Sequence, residues 1–126
     1  MNTTTLLHRQ VNPSWIQSGR VTSQAFKPTP KDERRLSVYD GDLITPADAW
    51  HHYTESLGFS SVGVLSVTVG ECQSLELSAE HDPEPFAEHA VIIFGESSNA
   101  QMENRSKQLR ALAIDRGWQF EAGRDG

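Results

Sequence analysis

Two segments carry apolar residues at the spacing of a helix that buries one face, over residues 46–57 and 99–116. Thr45 can cap the first helix, Pro46 suits its first position, and Gly58 can end it in a left-handed conformation. Ser98 or Asn99 caps the second helix, and Gly117 terminates it. These two segments are the main helices predicted for the chain.

Shorter apolar or alternating runs predict strands at residues 6–11, 36–39, 62–69 and 90–94, with a possible last edge strand at 118–120. The run 90–94 is apolar on both faces, which is typical of a central strand. The proline-rich segment 27–34 predicts a loop, as does 81–85, and residues 71–75 predict a short helical turn. The pattern therefore predicts an α+β fold with a mixed sheet of four to five strands and helices on one or two faces.

The length of 126 residues fits one domain, so residues 1–126 are expected to form a single globular unit with one core. The single cysteine, Cys72, excludes an internal disulfide and a cysteine-based zinc site, and we expect a passive, partly buried thiol. No apolar run has the length of a secretory signal or a membrane span. We therefore expect a cytoplasmic protein in a reducing compartment.

The net charge of −6 is unevenly distributed. Residues 41–96 hold ten acidic side chains and neither Lys nor Arg, whereas the two ends of the chain are net basic. This layout argues against a broad nucleic-acid interface, which needs clustered cations. The acidic segment either packs beside the basic ends or offers a surface to a basic partner.

Five runs of the sequence carry a resemblance: HRQVNP at 8–13, SQAFKPT at 23–29, LSVYDGD at 36–42, VTVGEC at 67–72 and DPEPFAEHAVI at 82–92. Together they resemble a family of small stand-alone bacterial proteins, of the kind carried on mobile DNA, for which no activity is established. The similarity covers about residues 6 to 120.

Arg9, Ser23 (or Ser37) and Glu88 occur along the chain in the order arginine, serine, glutamate, and Glu88 is followed by His89 and Ala90. This order partially resembles the catalytic set of ADP-ribosyltransferases of the Arg-Ser-Glu type, although their Glu-x-Glu is replaced here by Glu88-His89-Ala90. The resemblance implies that Arg9 holds the phosphates of NAD and that Glu88 stabilises the ribosyl cation as it forms. NAD is expected as a cofactor only under this alternative.

Four further residues are candidate ligand-binding positions: His8, Arg20, Tyr39 and His89. Arg9 and Arg20 suit a nucleotide or phosphate, and His89 beside Glu88 resembles an acid–base pair, although neighbours in a strand point to opposite sides. His51 and His52 point to different faces of a helix, so no metal site is predicted. Trp15 and Phe26 stand among cations, a pattern of nucleic-acid stacking, but core packing is the preferred interpretation.

No complete catalytic set, phosphate loop or nucleophile elbow occurs. The sequence therefore favours a bacterial binding or interaction module, with a protein or small molecule as partner, in the setting of a mobile element or conflict system. An ADP-ribosyltransferase-like enzyme is the alternative. The functional surface is expected to be a cleft on which Arg9, Ser23, Tyr39 and Glu88 converge, or else the acidic middle segment.

Overall fold

The fold is built on one antiparallel sheet of six strands, in a computed structural model that describes residues 1–29, 31 and 33–123. The strand order is β6-β7-β4-β1-β5-β8, and a separate hairpin pairs β2 with β3. The strands are β1 (Leu6–Gln10), β2 (Ile16–Gln17), β3 (Arg20–Val21), β4 (Arg35–Asp40), β5 (Gly63–Thr68), β6 (Ser78–His81), β7 (His89–Ile93) and β8 (Phe120–Glu121).

Three α-helices accompany the strands: α1 (Pro46–His51), α2 (Val69–Ser74) and α3 (Asn99–Arg116). A π-helical segment, His52–Ser56, continues α1, and short 3-10 helices span Pro13–Trp15 and Ser23–Phe26. The predicted α+β class and both main helices are confirmed. Among the described residues, none of the helices combines the length and apolar character that a membrane crossing requires.

The helix boundaries follow from capping. The Thr45 hydroxyl accepts a hydrogen bond from the Asp48 amide at the start of α1, as the sequence predicts. Ser98 begins α3 with a capping box that includes Gln101, and Gly117 ends this helix at φ 92°. At the start of α2, Thr68 forms a second capping box, which ends β5 one residue before the predicted boundary.

The predicted number and type of strands are wrong. The main sheet has six strands and not four or five, and all of its pairings are antiparallel, so it is not mixed. The missed strand is β6, whose sequence Ser78-Ala79-Glu80-His81 lacks an apolar run. An edge strand of this kind is held by its ladder with β7 and not by burial of its side chains.

The core lies between one face of the sheet and α3. Alternation along β1 directs Leu7, and then Val11, into this core, where they join Leu109 and Ala113 of α3. The same alternation directs His8 and Gln10 to the opposite face of the sheet. That opposite face therefore carries buried polar side chains, an arrangement that costs stability unless they are paired.

Candidate functional site

A pocket of about 430 Å³ lies on the polar face of the sheet. Strands β1, β4 and β7 supply its floor, the segment that follows α1 supplies one wall, and the loop before β7 supplies the other. We call it the sheet pocket. Its lining residues are His8, Arg9, Gln10, Ser37, Val38, Tyr39, Tyr53, Leu57, Phe59, Pro85, Phe86 and His89.

The register of the sheet explains why residues that are far apart in sequence meet on the floor of the sheet pocket. His8 of β1 pairs with Tyr39 of β4, and Tyr39 pairs with His89 of β7. Residues directly opposite each other in antiparallel strands project to the same face. Three of the four predicted ligand-binding residues therefore lie side by side at one site.

Arg9 also lines the sheet pocket, but its guanidinium is bonded to the main chain. Nε donates to the Ala25 carbonyl at 2.7 Å, and Nη1 donates to the Ser37 carbonyl at 2.9 Å. The guanidinium carbon lies 4.9 Å from the centre of the Trp15 ring, in cation–π geometry. Arg9 thus ties β1 to the 3-10 helix Ser23–Phe26 and to β4 while placing a positive charge at the pocket.

The remaining predicted site residues lie outside the lining. Ser23 is in a 3-10 helix that packs against α3, and Arg20 is exposed in the β2–β3 hairpin. Glu88 is half-buried just before β7, where its carbonyl accepts a hydrogen bond from the Asp40 amide at 2.8 Å. The lining therefore includes Arg9 and Tyr39 of the predicted cleft, and also Ser37, the alternative to Ser23, but it does not include Ser23 or Glu88.

Gln10 lines the pocket but is not among the site residues predicted from the sequence. Its side chain is 5% exposed, and among the described residues neither Oε1 nor Nε2 has a hydrogen-bond partner. The sequence does contain a signal for it, because His8 and Gln10 occupy alternate positions of a strand that otherwise carries Leu6, Leu7 and Arg9. Two buried polar residues on one face of a central strand indicate a site and not a core.

A hydrogen-bond chain crosses the pocket floor from β4 to the loop before β7. Ser37 Oγ lies 3.1 Å from His89 Nε2, and His89 Nδ1 lies 2.8 Å from the Asp82 carbonyl oxygen. The Asp82 carboxylate Oδ2 is 3.6 Å from the same Nδ1. Ser37 is exposed, whereas only 8% of His89 is accessible.

Aromatic side chains form the two walls. Phe86 lies 5.1 Å from Tyr39 and 5.2 Å from His89 between ring centres, and Tyr53 lies 5.1 Å from Phe59. Phe59 is 57% exposed, so it stands at the rim of the pocket. Burial raises the pKa values of the Tyr39 and Tyr53 hydroxyls, and both rings stay uncharged at neutral pH.

The histidines on the helix point to different neighbours, as their adjacency predicts. His51 Nδ1 contacts the Glu55 carboxylate, while His52 Nδ1 lies 2.8 Å from the Tyr39 hydroxyl. Within the described part of the chain, no group of three or more His, Cys, Asp or Glu side chains is arranged to hold a metal ion. Cys72 is fully buried, and burial followed by the Glu71 charge raises the pKa of its thiol to about 12.

No protein-family model matches the chain, and no curated protein or solved structure shows significant similarity to it. The resemblances stated from the sequence therefore stay predictions. The fold and the site define a small α+β protein with an aromatic-walled pocket on the polar face of an antiparallel sheet.

Proposed function

We propose that this protein is a small-molecule-binding module whose sheet pocket takes a flat, uncharged ligand with an amide-like edge. The observation that carries the proposal is Gln10: a buried carboxamide that lines the pocket while both of its polar atoms lack a protein partner among the described residues. A carboxamide offers one acceptor and two donors side by side. A ligand edge with one donor beside one acceptor satisfies both atoms at once.

The energetics favour such a ligand over a purely apolar one. A buried polar group without a partner costs about 1–3 kcal/mol, which a matching ligand recovers and an apolar analogue does not. The volume of about 430 Å³ suits a compact molecule, since ligand pockets generally span about 300–1,000 Å³.

The chemistry of the lining indicates that the ligand is flat and uncharged. Tyr53, Phe59 and Phe86 present ring faces and edges on which a planar group packs. Among the described residues that line the pocket, Arg9 alone belongs to the charged types Lys, Arg, Asp and Glu. Two nitrogens of its guanidinium donate to backbone carbonyls. A strongly charged ligand would find little compensation for its lost hydration.

Ligand-observed NMR with nicotinamide, benzamide, uracil and toluene tests the proposal. We expect saturation transfer to the three amide-bearing probes and weaker transfer to toluene, which has the ring but not the amide edge. Gln10→Met keeps the length of the side chain and removes both polar atoms, so it should abolish the preference for amides. Gln108→Met, on the exposed surface of α3, is the matched control.

Two outcomes would overturn the proposal. In one, none of the amide probes gives a signal with the wild-type protein. In the other, the Gln10→Met protein binds benzamide and toluene in the same ratio as the wild type does. Either result would leave the buried carboxamide without a role in recognition.

The broader predictions from the sequence also stay open to test. An accessory role in a mobile element or conflict system, with a protein partner, is compatible with a binding module but rests on the resemblance alone. An ADP-ribosyltransferase-like enzyme would use Arg9 at the pocket, although Ser23 and Glu88 lie outside its lining. Incubation with NAD, with Glu88→Gln as the comparison, tests that alternative by release of nicotinamide.

A further inference from the structure

The hydrogen-bond chain on the pocket floor fixes the tautomer of His89. The Asp82 carbonyl oxygen can only accept, so His89 Nδ1 at 2.8 Å carries the hydrogen and donates it. In a neutral ring, Nε2 is then an acceptor, and the Ser37 hydroxyl at 3.1 Å donates to it. This direction of donation activates a serine. The serine hydroxyl donates to one ring nitrogen of the histidine, while the other ring nitrogen donates to an acceptor that holds the ring in place.

We propose that the protein cleaves small carboxylic esters bound in the sheet pocket. Ser37 is the nucleophile, His89 is the general base, and Asp82 orients His89. The geometry is that of a serine–histidine–aspartate triad, recognised by roles and not by position in the chain. In contrast to the usual arrangement, the main-chain carbonyl of Asp82 holds Nδ1, and the carboxylate stands 3.6 Å away. The proposal rests on the proposed binding function, because the substrate enters the same pocket.

The pairing of β4 with β7 brings Ser37 and His89 together, and no dedicated loop is needed. Ser37 and Tyr39 project to the same face of β4, and His89 lies opposite Tyr39, so Ser37 is a diagonal neighbour of His89. Ser37 is exposed and lines the pocket, which gives its hydroxyl access to a bound molecule. His89 is 8% exposed and is fixed at both ring nitrogens, so the base is held in the orientation that it needs.

Charges near the pair favour the reaction. When His89 takes a proton, the Asp82 carboxylate at 3.6 Å from Nδ1 stabilises the imidazolium that forms. Arg9 Nη1 donates to the main-chain carbonyl oxygen of Ser37, so the guanidinium holds the backbone of the nucleophilic residue in place. These groups are already in place before a substrate binds, as electrostatic catalysis requires.

The reaction balances with water as the co-reactant. Ser37 Oγ attacks the ester carbonyl and forms a bond to carbon, while its proton passes to His89 Nε2. The bond from the carbonyl carbon to the leaving oxygen breaks, and His89 returns the proton to that oxygen, so an alcohol leaves. Water then attacks the acyl carbon and loses a proton to His89. The bond from that carbon to Ser37 Oγ breaks, and His89 returns the proton to Oγ, so the acid leaves and the Ser37 hydroxyl and the neutral histidine are restored.

The pocket indicates the class of ester. Gln10 Nε2 is a buried donor, and it donates a hydrogen bond to the ester carbonyl oxygen. Side-chain amides have this role in oxyanion sites. The aromatic walls then take an apolar or aromatic acyl group, and a pocket of this volume admits only a small one. Small esters of aromatic carboxylic acids are therefore the expected substrates.

A second serine–histidine pair, Ser66 and His8, lies on the same face of the sheet but has only a structural role. His8 Nδ1 lies 2.7 Å from Ser66 Oγ, but both residues are fully buried and Ser66 does not line the pocket. Burial lowers the pKa of His8 to about 4, so its ring is a weak base. Ser37 differs from Ser66 in being reachable, and this difference makes it the nucleophile.

A fluorophosphonate probe tests the nucleophile directly, since Oγ displaces fluoride at phosphorus and the serine stays labelled. We expect mass spectrometry to locate the label on Ser37, and p-nitrophenyl benzoate to be hydrolysed. Ser37→Ala should abolish both, and His89→Gln should lower the labelling rate by about 10²-fold or more. Asp82→Asn leaves the backbone carbonyl in place and removes the charge 3.6 Å from Nδ1, so it should lower the rate of labelling at neutral pH.

Controls separate this proposal from binding and from loss of fold. Ser74→Ala, on the exposed side of α2, should leave labelling unchanged, and each variant is used only after its melting curve shows a folded protein. Ser37→Ala should still bind benzamide, so failure of the esterase leaves the binding proposal intact. A wild-type protein that is not labelled at Ser37, or ester hydrolysis that survives Ser37→Ala, would overturn the proposal.

Discussion

The Nδ1 atom of His8 lies 2.7 Å from the Ser66 hydroxyl oxygen, in the middle of the sheet and out of reach of solvent. β1 and β5 place the two residues directly opposite each other. Burial disfavours the charged ring and outweighs a backbone hydrogen bond at Ile44 and the Asp40 charge, both of which raise the pKa; the net pKa is about 4. His8 is thus a neutral part of the folded protein.

This neutral histidine predicts that the protein loses stability in mild acid. The folded pKa of about 4 lies below the ordinary value of 6.5, so the unfolded chain binds the extra proton first as the pH falls. The free energy of unfolding should therefore fall between pH 6.5 and 4, by about 3 kcal/mol in total. Urea unfolding across that range measures the slope.

His8→Gln removes this titration and should flatten the slope. His51→Gln replaces a histidine whose side chain is 54% exposed and should leave it unchanged. An equally steep slope in the His8→Gln protein would show that other groups cause the acid sensitivity.

The unpaired amide of Gln10 predicts a variant that is more stable than the natural protein. Gln10→Met removes two buried polar atoms without partners and fills the same space, so the free energy of unfolding should rise by about 1–2 kcal/mol. Thermal and urea unfolding without ligand measure the gain. Gln108→Met should change the stability by less than about 0.5 kcal/mol, and a destabilised Gln10→Met protein would contradict the expectation.

Arg9 joins three parts of the structure in a way that lysine cannot reproduce. Its planar fork reaches the carbonyls of Ala25 and Ser37 at once, whereas an ammonium is a single point of charge. Arg9→Lys should lower the free energy of unfolding by about 1–3 kcal/mol. Arg20→Lys in the exposed β3 strand is the matched change and should be nearly neutral; equal losses at both positions would argue against the bridging role.

Gly41 is required for space and not for an unusual backbone angle. A Cβ at this position would lie 2.5 Å from the Leu6 carbonyl oxygen, which already accepts a hydrogen bond from the Gly41 amide at 2.7 Å. Gly41→Ala should therefore cost about 3 kcal/mol of stability.

Gly58→Ala supplies the comparison for Gly41. Gly58 has φ 75°, and a Cβ added there would meet open space. Gly58→Ala should therefore cost only about 1 kcal/mol, from backbone strain. Urea unfolding of the two variants compares their losses. A Gly41→Ala protein that loses no more than Gly58→Ala would show that the turn can move away from Leu6.

Elements with local signals can be located from the amino-acid sequence. Thr45, Ser98 and Gly117 mark helix ends through contacts within a few residues, so their side chains and backbone preferences are sufficient to place them. The apolar run of β7 is likewise visible without a partner strand. The weakly patterned β6 could not be found in this way, because its pairing with β7 holds it in place.

The candidate site was predicted in part for the same reason. His8, Tyr39 and His89 were predicted as ligand-binding positions, but Ser37 and His89 are 52 positions apart in the chain, so their contact could not be predicted. Which of these side chains meet depends on strand order and register, and a shift of one residue would turn each of them to the other face. The sequence alone determined which residues are available for chemistry, and only the antiparallel pairing of β1, β4 and β7 decided which of them share a pocket.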